Sequence, residues 1–424
     1  MENFYQKILK RQVSPKTETL WYSIGSSVYA ASSVFLLLFV TRFLGTFEAG
    51  VFSIGWAVCQ LMLTIGYFGS RNYQVADIHD NFSFSYYFKS KAVTISAMLI
   101  GTFIYGSILG FDQYKMTIAF LLTALMICET FADVFAGFLQ KQNRLDISGK
   151  SYLGRVFSYD CLFLILLLVT ENLQLSLIGA IFVSLCWVFL FDYQFVRRLD
   201  KTTTKKVAPK RISQLLMYSF PIFLSAFLTN FIMNTPKNAI EVLLNEDFQT
   251  VYNILFMPSA IIALFTSFVF VPMYTHISKA WHDRRYQEFV QIVKKIVLLV
   301  IGLTIVVVIG GLFIGVPVLS IIYGVDISGY RLEFAILLVA GGINSLTYLL
   351  VYLLTVFNSQ RLLLFIYSLV AILAALGGNY LVLHFQLLGA SLLYLASCIS
   401  LVLLLIISVT KIYRQEKNNQ STIV

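Results

Sequence analysis

Charge is what this sequence has least of: Asp, Glu, Lys and Arg make up only 12% of its 424 residues, against 58% hydrophobic ones. Soluble domains usually carry about 25% charged residues, so a chain this size has too little polar surface to be a water-soluble globule. Acidic residues are the scarcer sign, 21 against 31 basic, for a net charge of +10. In a soluble protein that excess would suggest nucleic acid, but here the basic residues sit in short loops between apolar runs, where they act as orientation signals. Nucleic-acid binding is excluded on that ground. Cysteine is sparse, and Cys59, Cys128, Cys161, Cys186 and Cys398 all lie inside apolar runs without paired spacing. Neither a disulfide framework nor a zinc site is expected. The four histidines are scattered, and there is no HExxH, no GxxxxGK[ST] loop and no catalytic constellation, so no metal, no cofactor and no enzyme activity is expected. Residues 1–18 are hydrophilic and lack a short apolar core followed by a cleavage site, so no cleavable signal peptide is expected.

What the sequence has in abundance is long apolar runs. A crossing helix needs roughly 20 apolar residues, and spans are expected near 19–41, 47–70, 89–111, 116–140, 150–170 and 173–196. The second half supplies 214–236, 248–275, 291–318, 332–356, 361–383 and 387–410. With the N-terminus cytoplasmic, only Arg42, Lys115, Lys237 and Arg331 of the 31 basic residues fall outside, so every loop obeys the positive-inside rule. The fold class is therefore an all-α polytopic membrane protein of about twelve transmembrane helices, with both termini cytoplasmic.

The most polar stretch, Arg197 to Arg211, carries seven basic residues and separates six spans from six. The expected organisation is a cytoplasmic segment 1–18, an N-terminal lobe 19–196, a basic linker 197–213, a C-terminal lobe 214–410 and a tail 411–424. An offset of 200 residues superposes Leu44, Val51, Phe52 and Ile54 on Leu244, Val251, Tyr252 and Ile254, and spans three and nine each carry a GxxxG. A weak internal repeat of this kind suits a transporter built from two similar bundles. Outer loops are short, which leaves function inside the membrane.

Ionisable residues within spans are costly and mark functional sites by default. Glu129 lies roughly 16 Å from the inner end of span four at 1.5 Å per residue, and Asp133 follows four residues later on the same face. Two acids on one face either bind a coupling proton or sodium ion or balance a basic residue on a facing helix. Arg155 and Asp160 in span five are placed to line a cavity beside them, unless Arg155 snorkels to the inner interface, and Asp160 joins Glu129 and Asp133 as a coupling-ion or gating candidate. Arg42 ends span one and Lys237 ends span seven, corresponding outer positions in the two lobes. Facing each other across a cleft they suit a phosphate or acidic sugar; alone, each is an ordinary interfacial anchor. Pro221, Pro236, Pro258 and Pro272 fall in spans seven and eight and are hinge candidates or static bends.

Three segments then carry a resemblance. The first is Arg42-Phe-Leu-Gly45 with Gly50, and Gly69-Ser-Arg71-Asn-Tyr73-Gln74-Val-Ala-Asp77 after span two. The second is Glu129 to Asp133-Val-Phe-Ala-Gly137-Phe-Leu-Gln140, continuing through Arg144-Leu-Asp146, Gly149-Lys150-Ser151 and Arg155. The third is Asn234-Thr-Pro236-Lys237-Asn-Ala239-Ile240 with Phe256-Met257-Pro258 and Pro272. Together they resemble the Wzx-type oligosaccharide flippases, in the superfamily that also holds the lipid II flippase and the multidrug and toxin extrusion transporters.

The resemblance implies two pseudo-symmetric six-helix lobes around a cationic central cavity in the bacterial cytoplasmic membrane. It also implies a substrate, an undecaprenyl-pyrophosphate-linked glycan flipped to the outer leaflet for capsule or exopolysaccharide synthesis, with glycan polymerase and assembly proteins as partners. Arg42, Arg155 and Lys237, with Arg71 at the inner mouth, would meet the pyrophosphate, and Gln140 and Asn234 are the polar members of the shared segments. One departure is Val271 before Pro272, where many relatives carry a basic residue. The rivals are a cation or multidrug exporter using the intramembrane acids, a membrane glycan polymerase or glycosyltransferase, and a structural scaffold; the short outer loops weigh against the polymerase.

Overall fold

A computed structural model of the chain describes residues 5, 8, 9, 13–77, 81–199, 208–357 and 359–421. The centre of the expected linker, 200–207, lies outside them, as do most of residues 1–12 and the last three of the tail. Secondary structure among the described residues is helical throughout. In chain order the helices are α1 (Pro15–Leu44), α2 (Thr46–Tyr67), α3 (Ser70–Ala76), α4 (Phe84–Ile108), α5 (Gln113–Lys141), α6 (Leu145–Thr170), α7 (Leu173–Trp187) and α8 (Tyr193–Leu199). The second half gives α9 (Pro209–Leu243), α10 (Glu246–His282), α11 (Tyr286–Gly310), α12 (Val316–Tyr323), α13 (Arg331–Val356) and α14 (Gln360–Ser421).

Ten stretches among the described residues are long and apolar enough to cross a membrane. One of them, Arg361–Glu416, runs for 56 residues, about 84 Å at 1.5 Å per residue and far more than a single crossing needs. It is two helices joined at Gln386, whose φ of 48° and ψ of −127° leave the helical region. With the 37-residue α10, each of the twelve expected spans has a helix.

Helix starts follow local chemistry. Ser14 caps α1 by accepting from Thr17 N at 3.3 Å, with Pro15 in the first turn, where its missing N–H costs nothing. Asp112, Asn172 and Asn245 cap α5, α7 and α10 in the same way.

The chain divides into two compact units, Met1–Phe227 and Leu228–Val424, with the division inside α9. In the first, α2 packs against α4 and α5, and α1 runs along α6. Close approach of the last two depends on Gly149, where a Cβ would meet the main chain of Trp21 and Tyr22. Glu18 adds a tie, its carboxylate accepting from Leu145 N at 3.0 Å. In the second unit α13 packs against α10, α11 and α14, over a core that includes Leu349, Leu353, Leu354, Ile366, Val370 and Leu405. The GxxxG glycines differ in role. Gly311 and Gly315 make room for Phe334, whereas Gly110 has a φ of 76° just beyond the end of α4.

Candidate functional site

In the first unit α3, α5, α6 and the turn after α7 bring five charges together. Arg155 is only 2% exposed and holds Glu129 through two parallel bonds, Nε to Oε1 at 3.0 Å and Nη2 to Oε2 at 2.7 Å. Its Nη1 reaches Asp192 Oδ2 at 3.3 Å, and its guanidinium lies 5.2 Å from the Tyr152 ring centre. A bidentate Arg–carboxylate pair sealed from water is a strong contact, and its desolvation cost demands that all three partners be present. Arg155 therefore does not snorkel. Asp192 reaches it because Val188–Asp192 forms a π turn; such turns often re-aim a side chain at a site.

The second pair is Arg71 with Asp133, at 3.5 Å. Arg71 also donates to the Tyr22 hydroxyl, stacks over the Tyr22 ring at 4.5 Å, and donates to Gln140 Oε1 at 2.9 Å. It stands on the short helix α3, set off from α2 by Phe68 and Gly69, both at positive φ. Glycine suits Gly69 twice over, since a Cβ there would also strike Ile222. Lys91, wholly buried, clamps this break by donating to Gly66 O at 3.0 Å, Tyr67 O at 3.1 Å and Ser70 Oγ at 2.8 Å. It thus satisfies carbonyls freed at the end of α2 and opposes the negative end of the helix dipole.

Both pairs line one cavity of about 20 Å³, with Tyr22, Tyr67 and Tyr152 as its aromatic wall. That is room for about one water. Glu129 and Asp133 each face an arginine on another helix, Arg155 and Arg71 respectively. Asp160 stands apart from the cavity lining. It is buried and accepts from Ser32 Oγ at 2.7 Å, with no cation within ion-pair distance among the described residues.

Arg42 is exposed in the last turn of α1. In the second unit Lys237 is half-buried, with its ammonium 5.0 Å from the Phe256 ring centre and no carboxylate at ion-pair distance among the described residues. No Asp or Glu is buried in that unit among the described residues. Its interior polar groups are neutral: Asn234, which donates to Asn230 O at 3.0 Å, Gln249 and Asn253 on α10, and the Tyr252 hydroxyl. The Gln249 amide and the Tyr252 hydroxyl are buried with no hydrogen-bond partner. α9 runs unbroken through Pro221 and Pro236, as α10 does through Pro258 and Pro272.

Sequence reasoning passed over Asp192, Lys91, Tyr22 and Gln249. Asp192 was detectable as an acid within an apolar run. Lys91 was hidden by its place near a span end, where a lysine ordinarily reaches for water.

No family model and no curated protein matches the sequence. Solved structures do match in fold. A multidrug resistance MATE family transporter of the MOP superfamily, inward-facing, aligns with a TM-score of 0.63 at 11% identity, covering 91% of this chain and 96% of its own. The lipid II flippase MurJ in an inward closed conformation gives 0.67 at 14% identity, covering 92% and 87%. A mutant of the Vibrio cholerae MATE transporter VcmN gives 0.61 at 12%, covering 95% and 97%. At these identities the likeness establishes a common fold.

Proposed function

We propose that the protein is a flippase that carries undecaprenyl-pyrophosphate-linked oligosaccharide across the bacterial cytoplasmic membrane by alternating access. The observation that carries this reading is Lys237, a cation within a span whose unit buries no carboxylate among its described residues. A phosphate would find a cation there. The unpartnered Gln249 amide and Tyr252 hydroxyl offer donors and acceptors of the kind sugar hydroxyls satisfy. The fold shared with the lipid II flippase supports a lipid-linked substrate.

The residue roles narrow accordingly. Arg155 is committed to Glu129 and Asp192 and Arg71 is shared with Asp133; the pyrophosphate contacts in this reading are Arg42 and Lys237, at the corresponding ends of the first helix of each half. Of the three acids considered for a coupling ion, Asp160 is the candidate, because Glu129 and Asp133 are already paired. Pro221, Pro236, Pro258 and Pro272 are the hinge positions. Neutralising Arg42→Gln with Lys237→Gln is expected to lower surface glycan at least about tenfold, the effect of losing one charge-assisted hydrogen bond, with the amount of inserted protein unchanged. Normal glycan in the double variant refutes this assignment.

A further inference from the structure

The second unit carries a groove of about 290 Å³ between α11 and α13, lined by Val300, Thr304, Ile305 and Val308 from one helix and Val339 and Ile343 from the other. Its walls are apolar throughout, for the Thr304 hydroxyl turns back to Val300 O at 2.7 Å. Gly342 sets its floor: a Cβ there would strike the Thr304 side chain, so glycine is what lets the two helices close at that level. Ile301, Ile305 and Ile309 are 45%, 53% and 53% exposed along it. The groove lies around the middle of the Tyr286–Tyr323 span, where the surrounding medium is hydrocarbon.

One end of this apolar face is charged. Lys294 precedes Ile301 by seven residues, which at 3.6 residues per turn puts it within about 20° of the same side of α11. It is exposed, as is Lys295 beside it. By the distribution of basic residues this is the cytoplasmic end. An apolar trough with a cation at its inner mouth is complementary to a lipid with an anionic head.

Length selects which lipid. From Lys294 to Ile309 is about 22 Å along the helix, whereas the hydrocarbon of one leaflet is about 15 Å deep. A chain anchored at Lys294 and filling the groove must pass the midplane, where the acyl chains of a leaflet end on average and a longer polyprenyl chain continues.

We propose that this groove binds a polyprenyl phosphate, with the phosphate at Lys294 and the chain along α11 and α13. The site goes beyond the transport reading and requires binding alone. The experiment uses the full-length protein in zwitterionic lipid nanodiscs with an unglycosylated, photoreactive polyprenyl monophosphate. Labelling is expected on residues 300–309 and 339–346, about fivefold weaker in Lys294→Gln, as loss of one basic residue near an anionic head predicts. Ile305→Trp and, independently, Ile309→Trp fill the groove and abolish labelling, whereas Val306→Trp on the other side of α11 leaves it unchanged. Each variant is matched to wild type in monodispersity and thermal midpoint. Labelling elsewhere, equal competition by phosphatidylglycerol, or equal labelling by the neutral polyprenol overturns the proposal. Because no sugar is present, failure here leaves the glycan-transport reading standing, and failure of glycan transport leaves this site standing.

Discussion

Arg155 decides what the buried charges of the first unit are for. Removing it alone, as Arg155→Gln, leaves Glu129 and Asp192 buried without a cation, and the expected destabilisation is about 3–5 kcal/mol. Converting all three together, Arg155→Gln with Glu129→Gln and Asp192→Asn, is expected to recover most of it, because uncharged amides carry a far smaller desolvation cost. Thermal unfolding in detergent checks both, and a triple variant no more stable than the single one contradicts the account. Asp77, in the connection between α3 and α4, makes a second test. Burial raises its carboxyl, but Phe82 N and Asn81 N, each at 3.0 Å, the Tyr87 hydroxyl at 3.2 Å and the Lys141 charge outweigh burial and hold it below the usual carboxylate range. A group lowered in the folded state stabilises above its unfolded value of about 3.9 and loses that contribution as pH falls through the folded value. The gap in thermal midpoint between wild type and Asp77→Asn is therefore expected to be widest near neutrality and to close below about pH 4; a gap that does not vary with pH contradicts it. At this scale the sequence was partly legible. Glu129, Asp133 and Arg155 announce themselves as ions inside apolar runs. Which acid meets which base depends on how helices face one another, and hydropathy carries no record of that.

At the scale of elements, hydropathy and charge placed every span, because a crossing helix is defined by length and apolarity before any packing occurs. Departures from regular helix were legible only in part. The break before α3 and the reversal at Gln386 fall at the expected end of span two and between spans eleven and twelve, whereas the π turn that presents Asp192 sits in apolar sequence that reads as uninterrupted helix. They are set by tertiary contacts, such as the Lys91 clamp on Gly66, Tyr67 and Ser70. The reversal in α14 gives a paired prediction. A Cβ at Gly389 would collide with the Leu381 carbonyl, whereas Gly377 has nothing within 4 Å. Gly389→Ala is expected to destabilise by about 1–3 kcal/mol, and Gly377→Ala to stabilise by about 0.5–1 kcal/mol through helix propensity. Thermal midpoints of the two variants check this, and equal midpoints contradict it.

For the whole molecule, the chain divides into two compact units, and its fold is shared with solved MATE transporters and MurJ. What the units handle is decided by the sign and pairing of their buried groups. In the first unit Glu129, Asp133 and Asp192 are matched to Arg155 and Arg71; in the second Lys237 lies over the Phe256 ring and no carboxylate is buried among the described residues. Arg42 and Lys237 stand out in the sequence as two of the four basic residues on the sparse side of the membrane, but Gln249 and Tyr252 do not, since an amide or phenol in an apolar run carries no charge signal. The central claim is that an anionic lipid-linked glycan crosses the bilayer through this protein. The most direct measurement places the purified protein in vesicles loaded with a labelled undecaprenyl-pyrophosphate oligosaccharide in one leaflet and follows its access to a glycosidase added to the other side. The account predicts protein-dependent exposure of the glycan that Arg42→Gln with Lys237→Gln abolishes. Vesicles in which the glycan stays in its leaflet while the same protein expels organic cations down an ion gradient would contradict it.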